Sequence, residues 1–226
     1  MTALHHVFLH GVRADTEVRY QAQALRGIRY DDLHHQQSRI DASCGLLSVL
    51  QAIMVLCGTP RSQIERVATT KREPLRSLWA LARNEYFEGT DESELRRYVE
   101  VFGPQLECEV SITSRPSRIG TLASTAIDAG HVPLIRFESR KFDHFSMVVG
   151  YESEVGQPAP RALLLLDVSE SAPWTAFHNG RIELQASSRP ARKGSTTFPL
   201  TCHYLSGETW PVKLKSLVVI KRVRPP

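Results

Sequence analysis

Cys44-Gly45-Leu46-Leu47-Ser48-Val49-Leu50-Gln51-Ala52-Ile53-Met54-Val55-Leu56 follows a polar loop that begins at Gln36-Gln37-Ser38. Apolar residues recur in it at three- and four-residue steps, which predicts a helix buried on most sides and stopped by Gly58. The loop brings amides, and the first helical turn brings a thiol. Helix N-termini carry partial positive charge, which favours thiolate over thiol. A free cysteine titrates near 8.5, so a modest depression makes Cys44 a nucleophile at neutral pH.

More helices follow. Thr59-Pro60 reads as the start of a second, with the hydroxyl as cap and proline in its first turn. A third is predicted from Pro74 to Arg83, with Leu75, Leu78, Trp79 and Ala82 on one face. Thr90 or Asp91 caps a fourth, whose inward face is Leu95, Tyr98, Val99 and Phe102. The period then changes. Leu106 to Ile112 alternates as a half-buried strand, Ile119 to Ala129 is helical, and four extended runs follow: Val132 to Phe137, Phe145 to Tyr151, Ala162 to Val168 and Leu217 to Val223. Helices first and strands later give an α+β expectation, an N-terminal helical layer packed on an antiparallel β-sheet. The chain reads as one domain over 1–226, its helical part about 36–104 and its β part about 105–226. Before residue 36 the pattern is thin: Val7-Phe8-Leu9 suits a short strand, and Gln21 to Arg29 a turn or helix. Ser187 to Thr197 reads as an exposed loop.

Composition narrows the function classes. With 226 residues, 42% of them hydrophobic and 23% charged, the chain is long enough for one substantial core. Its 28 basic and 24 acidic residues give a net charge of +4, a balance that does not point to nucleic acid. Basic residues concentrate in Arg189 to Lys193 and Lys213 to Arg224, a weak pointer to an acidic or phosphorylated partner or simply a solvated surface. Cys44, Cys57, Cys108 and Cys202 show neither a disulfide framework nor ligand spacing, which suits a reducing, cytoplasmic setting. The longest purely apolar run, Ala162 to Leu166, is far too short to span a membrane. His5-His6 and His34-His35 are adjacent pairs without a carboxylate or thiol at ligand spacing, and are read as surface histidines rather than metal ligands.

Two further residues complete a chemistry. His144 opens the run Phe145-Ser146-Met147-Val148-Val149-Gly150-Tyr151, where a strand can aim an imidazole; His131 is the other candidate, behind a helix-ending glycine. Asp167 closes Leu163-Leu164-Leu165-Leu166, and a carboxylate at the end of a buried strand needs a partner, which an imidazole supplies. Thiolate, base and orienting acid are three roles of acyl transfer. The fourth, an oxyanion donor, can come from the Cys44 N–H and an upstream glutamine.

The runs DASCGLLSVLQAI, DHFSMVVGYE and LLLLDVSES, with a glutamine before the first, resemble the papain-like cysteine peptidases. They are closest to the bacterial branch of double-glycine leader peptidases and related stand-alone proteins. The likeness covers roughly residues 36 to 170. It implies a papain-like fold, with Cys44 as nucleophile, His144 as general base, Asp167 as orienting acid and Gln37 as the oxyanion amide. The loop is a residue longer than in that branch, so Gln36 competes with Gln37, and Ser43 stands where many leader peptidases have aspartate. The expected activity is a cysteine peptidase cleaving a peptide or isopeptide bond through an acyl-enzyme, without cofactor or metal. The partner is then a peptide or protein substrate, with no role for nucleic acid or membrane; oligomeric state is left open. The same residues suit an acyltransferase or transglutaminase-like enzyme, or a catalytically silent protein-binding module.

Overall fold

Helix α1 (Cys44–Cys57) is buried along nearly its whole surface, with only Leu47 and Cys57 partly exposed. Burying side chains such as Leu50, Ile53 and Met54 contributes about 2 kcal/mol each relative to exposure. A missing cap costs about 1 kcal/mol. Packing therefore decides this helix, and Ser43 at its N-cap makes no side-chain capping bond. The computed structural model describes residues 4–9, 12–14, 20–22, 31–38, 41–157, 159–173, 178–185 and 198–223.

Three more helices follow: α2 (Arg61–Ile64), α3 (Leu75–Ala82) and α4 (Glu92–Glu100). Pro60, in extended conformation, is the N-cap of α2, so Thr59 does not cap it and the helix is a single turn. Asp91 caps α4 as expected: it accepts from the Ser93 and Glu94 amides, while Glu94 reaches back to the Asp91 N–H. β5 (Leu106–Ile112) and α5 (Pro116–Asp128) lead into β6 (Val132–Glu138), β7 (Asp143–Glu154) and β8 (Pro160–Leu166). The last strands are β9 (Gly180–Glu183), β10 (Leu200–Tyr204) and β11 (Thr209–Arg222). Before α1 lie β1 (Leu4–Phe8) and a small sheet of β2 (Val12–Ala14), β3 (Tyr20–Ala22) and β4 (Asp31–Asp32). Gln21 is thus in a strand; the rest of the stretch to Arg29 lies outside the described residues apart from Ala22, as does the predicted loop Ser187 to Thr197.

The expected papain-like fold, a helical layer laid on an antiparallel sheet, is overturned. β7, β6, β11, β10, β9 and β8 pair in that order, and β8 pairs back onto β7, closing a six-stranded antiparallel barrel with few helices around it. β1 and β5 are two extra strands on its long members. Closure follows from two long, irregular strands that exchange partners along their length. β11 pairs β10 through Thr209 to Val212 and then β5 from Ser216 onward, with β6 alongside. β7 pairs β6 over Asp143 to Met147 and then β1 over Gly150 to Glu154, with β8 alongside. Register shifts at Leu214/Ser216, Val148/Gly150 and Glu152/Ser153 mark where they bend. Sequence periodicity located β6, β7 and β8, but left β9 and β10 unplaced and saw only the second half of β11.

α1 packs on β6, β7 and β11 and against α4; α5 packs on β6, β7, β8 and β11. Gly150 is where β1 lies closest to the barrel: a Cβ there would stand 2.5 Å from the Val7 carbonyl oxygen and 2.9 Å from the Phe8 ring. Gly150→Ala should therefore force β1 off β7, at a cost of about 1–3 kcal/mol. Thermal unfolding and amide exchange at His5 to Phe8 would measure it; an unchanged melting temperature with β1 still protected would contradict the packing.

Candidate active site

Cys44 takes its place at the first turn of α1 because that helix is pinned by its apolar body. The loop before it is organised by Asp41, which accepts from the Ser38 amide at 3.0 Å, the Ser43 amide at 3.1 Å, the Ser43 hydroxyl and Tyr86. Gly45 lets the opposite wall come close. A Cβ on it would lie 2.9 Å from Thr90 Cβ, so a residue with a side chain would displace the loop leading into α4.

His144 stands near the start of β7, directly opposite Phe137 on β6. The Phe137 and Phe142 rings meet the imidazole edge-on at 5.5 and 6.1 Å and fix its plane. Its Nε2 lies 2.7 Å from Asp167 Oδ1, at the end of β8. Nδ1 is left for Cys44, whose sulfur hydrogen-bonds the ring. Cys44 is 9% exposed, His144 6% and Asp167 0%, so the series runs from a cleft surface into the core.

A carboxylate buried to that depth costs several kcal/mol unless its oxygens are occupied. Four donors occupy them. Besides His144, the Ser169 amide at 2.8 Å and hydroxyl at 2.7 Å donate to Oδ1, and the Tyr204 hydroxyl donates to Oδ2 at 3.1 Å. The backbone is gripped as well. Asn179 Oδ1 accepts from the Asp167 amide at 2.6 Å, and Asn179 Nδ2 donates to the Asp167 carbonyl at 2.7 Å. His34 Nε2 donates to that same carbonyl at 3.0 Å. His34 is therefore buried, not the surface residue expected from its sequence.

The charges agree with the geometry. Burial raises the Asp167 pKa, but His144 and then Ser169 lower it by more, and it ends below its ordinary value. Burial depresses His144, yet the Asp167 charge and hydrogen bond, followed by Cys44, lift it well above 6.5. Burial pushes the Cys44 thiol up, but the His144 hydrogen bond and charge and a hydrogen bond with the Phe145 backbone bring it below its usual value. The other three thiols move the opposite way, Cys108 to about 11, with burial as the leading cause in each.

Cys44 and His144 line a cleft of about 810 Å³. Gln37 lines it too, whereas Gln36 is exposed and outside it. The Gln37 amide N–H is tied to the Asp41 carbonyl oxygen at 2.7 Å, and its main-chain N–H donates to the Val168 carbonyl at 2.7 Å. The loop is thereby joined both to the turn before Cys44 and to the strand end that carries Asp167. Gln37 Oε1 is buried without a hydrogen-bond partner among the described residues. His131 is elsewhere, beside Lys221 and Glu109. Sequence reasoning missed Asn179, Tyr204 and the bond from His34. Ser169 was within reach, because Asp-Val-Ser is an Asx-turn pattern. No protein-family model matches the chain, and no curated protein matches it either.

Proposed function

We propose that the protein is a thiol hydrolase acting on a peptide or isopeptide carbonyl, with Cys44 as nucleophile. One observation supports this above the rest: a thiol, an imidazole and a carboxylate in hydrogen-bonded series, with the thiol opening into a cleft. The proposal stands on that chemistry and not on the fold.

His144 and Cys44 rest as an imidazolium–thiolate pair. Cys44 Sγ attacks the carbonyl carbon, and the C=O π electrons move onto oxygen to give a tetrahedral oxyanion. The Cys44 N–H faces that oxygen. It is one of the first helical amides, which have no carbonyl in the preceding turn to serve. Gln37 offers its second amide hydrogen, the first being held by Asp41. Each such donor is worth about 3 kcal/mol in the transition state. Collapse breaks the C–N bond while His144 gives its proton to the leaving amine, which forms the acyl-enzyme. The imidazole then takes a proton from water, whose oxygen displaces Cys44. Asp167 keeps Nε2–H pointed inward, so that Nδ1 faces the reaction throughout. Unpaired thiols at all four cysteines support a reducing, cytoplasmic location. No helix among the described residues is long and apolar enough to cross a membrane.

The test is mass analysis of a diverse peptide mixture incubated with the protein, before and after Cys44 is capped with iodoacetamide. Products that end in new carboxyl termini and vanish on capping are expected. Mass gain on added amines without cleavage would replace hydrolysis by acyl transfer, and binding without turnover would overturn catalysis.

A further inference from the structure

We infer that the cleft takes a cationic peptide, one with lysine or arginine beside the scissile carbonyl. This rests on the thiol hydrolase reading and adds the substrate's charge. The site is the space around Cys44, and the surrounding carboxylates set its field. Glu88, Asp91 and Glu94 line it from the loop into α4 and its first turn, and Glu170 and Glu208 from the loops after β8 and β10. Asp41 and Asp143 line it as well. Two basic side chains are among the lining residues, and both are already spent: His144 is paired with Asp167 and Cys44, and Arg136 holds Asp143 through Nε at 2.9 Å and Nη2 at 2.8 Å, and Glu92 through Nη1 at 2.6 Å.

Four of the other carboxylates accept from neutral donors, which leave their charge in place. Asp91 and Glu94 accept backbone amides in the capping box, Glu208 accepts from Trp210 Nε1 at 3.0 Å, and Asp41 accepts from the amides and hydroxyls of its loop. Crowding of like charge registers on two of them. Glu170 titrates above its ordinary value through burial and then the charges of Asp167 and Glu208; Glu94 does so through burial and then Glu85 and Asp91. Three features oppose the field. The α1 and α4 N-termini add partial positive charge, and Lys141 stacks over the Trp210 ring at 4.5 Å. Together they do not match the excess of carboxylates. Phe142 and Trp210 offer apolar wall for the aliphatic stem of a lysine or arginine. The whole chain is net positive, so this sign belongs to the cleft and not to the average surface. It is also opposite to the acidic partner that the basic C-terminal segment suggests.

The experiment measures Cys44 modification by two small reagents of opposite charge. They are 2-(trimethylammonio)ethyl and 2-sulfonatoethyl methanethiosulfonate, each normalised to its rate with 2-mercaptoethanol. In both, the thiolate displaces methanesulfinate and forms a mixed disulfide, so the two differ in charge and not in chemistry. The cationic reagent should be favoured at Cys44 by about tenfold or more at 20 mM salt. At 0.5 M salt, where the Debye length falls to about 4 Å, most of that preference should disappear. A ratio near one at low salt overturns the inference. Glu88→Lys with Glu208→Lys should lower the ratio severalfold; if that pair fails to fold, Glu88→Gln with Glu208→Gln carries the same test with a smaller drop. Two peptidyl vinyl sulfones differing only in lysine for glutamate beside the electrophile should follow the same order. Discrimination by the small reagents but not by the peptides would overturn the peptide assignment. Failure of the underlying reading looks different: uncharged iodoacetamide would then label Cys44 no faster than Cys57, Cys108 or Cys202.

Discussion

His144→Ala should slow alkylation of Cys44 by iodoacetamide at pH 7 by about 100-fold or more, with the other three cysteines unaffected. Two opposed effects balance on this one thiol. Burial raises the Cys44 pKa, and the bond and charge of His144, with a bond to the Phe145 backbone, more than offset it. Without the imidazole, the main opposition to burial is gone. The thiol should then titrate above its ordinary value, leaving little thiolate at neutral pH. In the wild type the rate should hold its plateau well below pH 9 and decline only toward acid; in the variant it should rise steeply through the alkaline range. Rates followed by mass spectrometry at each cysteine across pH 5 to 10 would show this. A wild-type profile that rises only near pH 9, or a variant profile identical to it, would remove the ion pair from the mechanism.

Asp167→Asn should cost about 10²–10⁴-fold in hydrolytic turnover while nearly conserving volume. An amide cannot accept from His144 Nε2–H with a full negative charge, and its NH₂ would compete with the Ser169 and Tyr204 donors that now point at the carboxylate. The imidazolium loses its main support, so the His144 pKa should fall toward and below 6.5. Substrate binding in the cleft should change far less than turnover, so the loss should appear in kcat more than in KM.

The same pair predicts a stability profile with a defined sign. His144 has a raised pKa in the fold, so its contribution is complete below the ordinary 6.5 and is lost as pH rises through the raised value. Asp167 has a lowered pKa, so its contribution is complete above the ordinary 3.8 and is lost as pH falls through the lowered value. Wild-type stability should therefore exceed that of Asp167→Asn most between about pH 4 and 6.5, with the gap closing on both sides. Urea unfolding at pH 3, 5.5 and 9 would test it; a gap independent of pH would mean that the carboxylate acts through shape alone.

Much of the candidate site was legible in the sequence because Cys44, His144 and Asp167 sit on strong local signals. Cys44 begins the most apolar helix, His144 opens a continuous hydrophobic strand, and Asp167 ends another. In each case a run of buried apolar side chains fixes the backbone, and the polar residue at its end inherits a defined position. Gln37 was readable only as one of two glutamines. The Asp41 turn and the bond to Val168 hold Gln37 at the cleft and leave Gln36 outside. Asn179 and Tyr204 could not be read at all. They meet Asp167 only because β8 pairs β9 and β9 pairs β10, contacts between short strands whose composition is mixed.

The fold divides along the same line. Local pattern placed the helices and most of the long strands, because period and capping act within a few residues. Whether those strands lie flat or close was decided by pairing over long distances. β7 and β11 change partners at bulges that leave no mark in hydrophobic period, and β8 returns to β7. Tertiary structure alone also set the sign of the cleft: carboxylates scattered from Asp41 to Glu208 converge on it, while the chain as a whole stays positive. Charge adds in space, not along the chain, and so the field at Cys44 had to wait for the barrel.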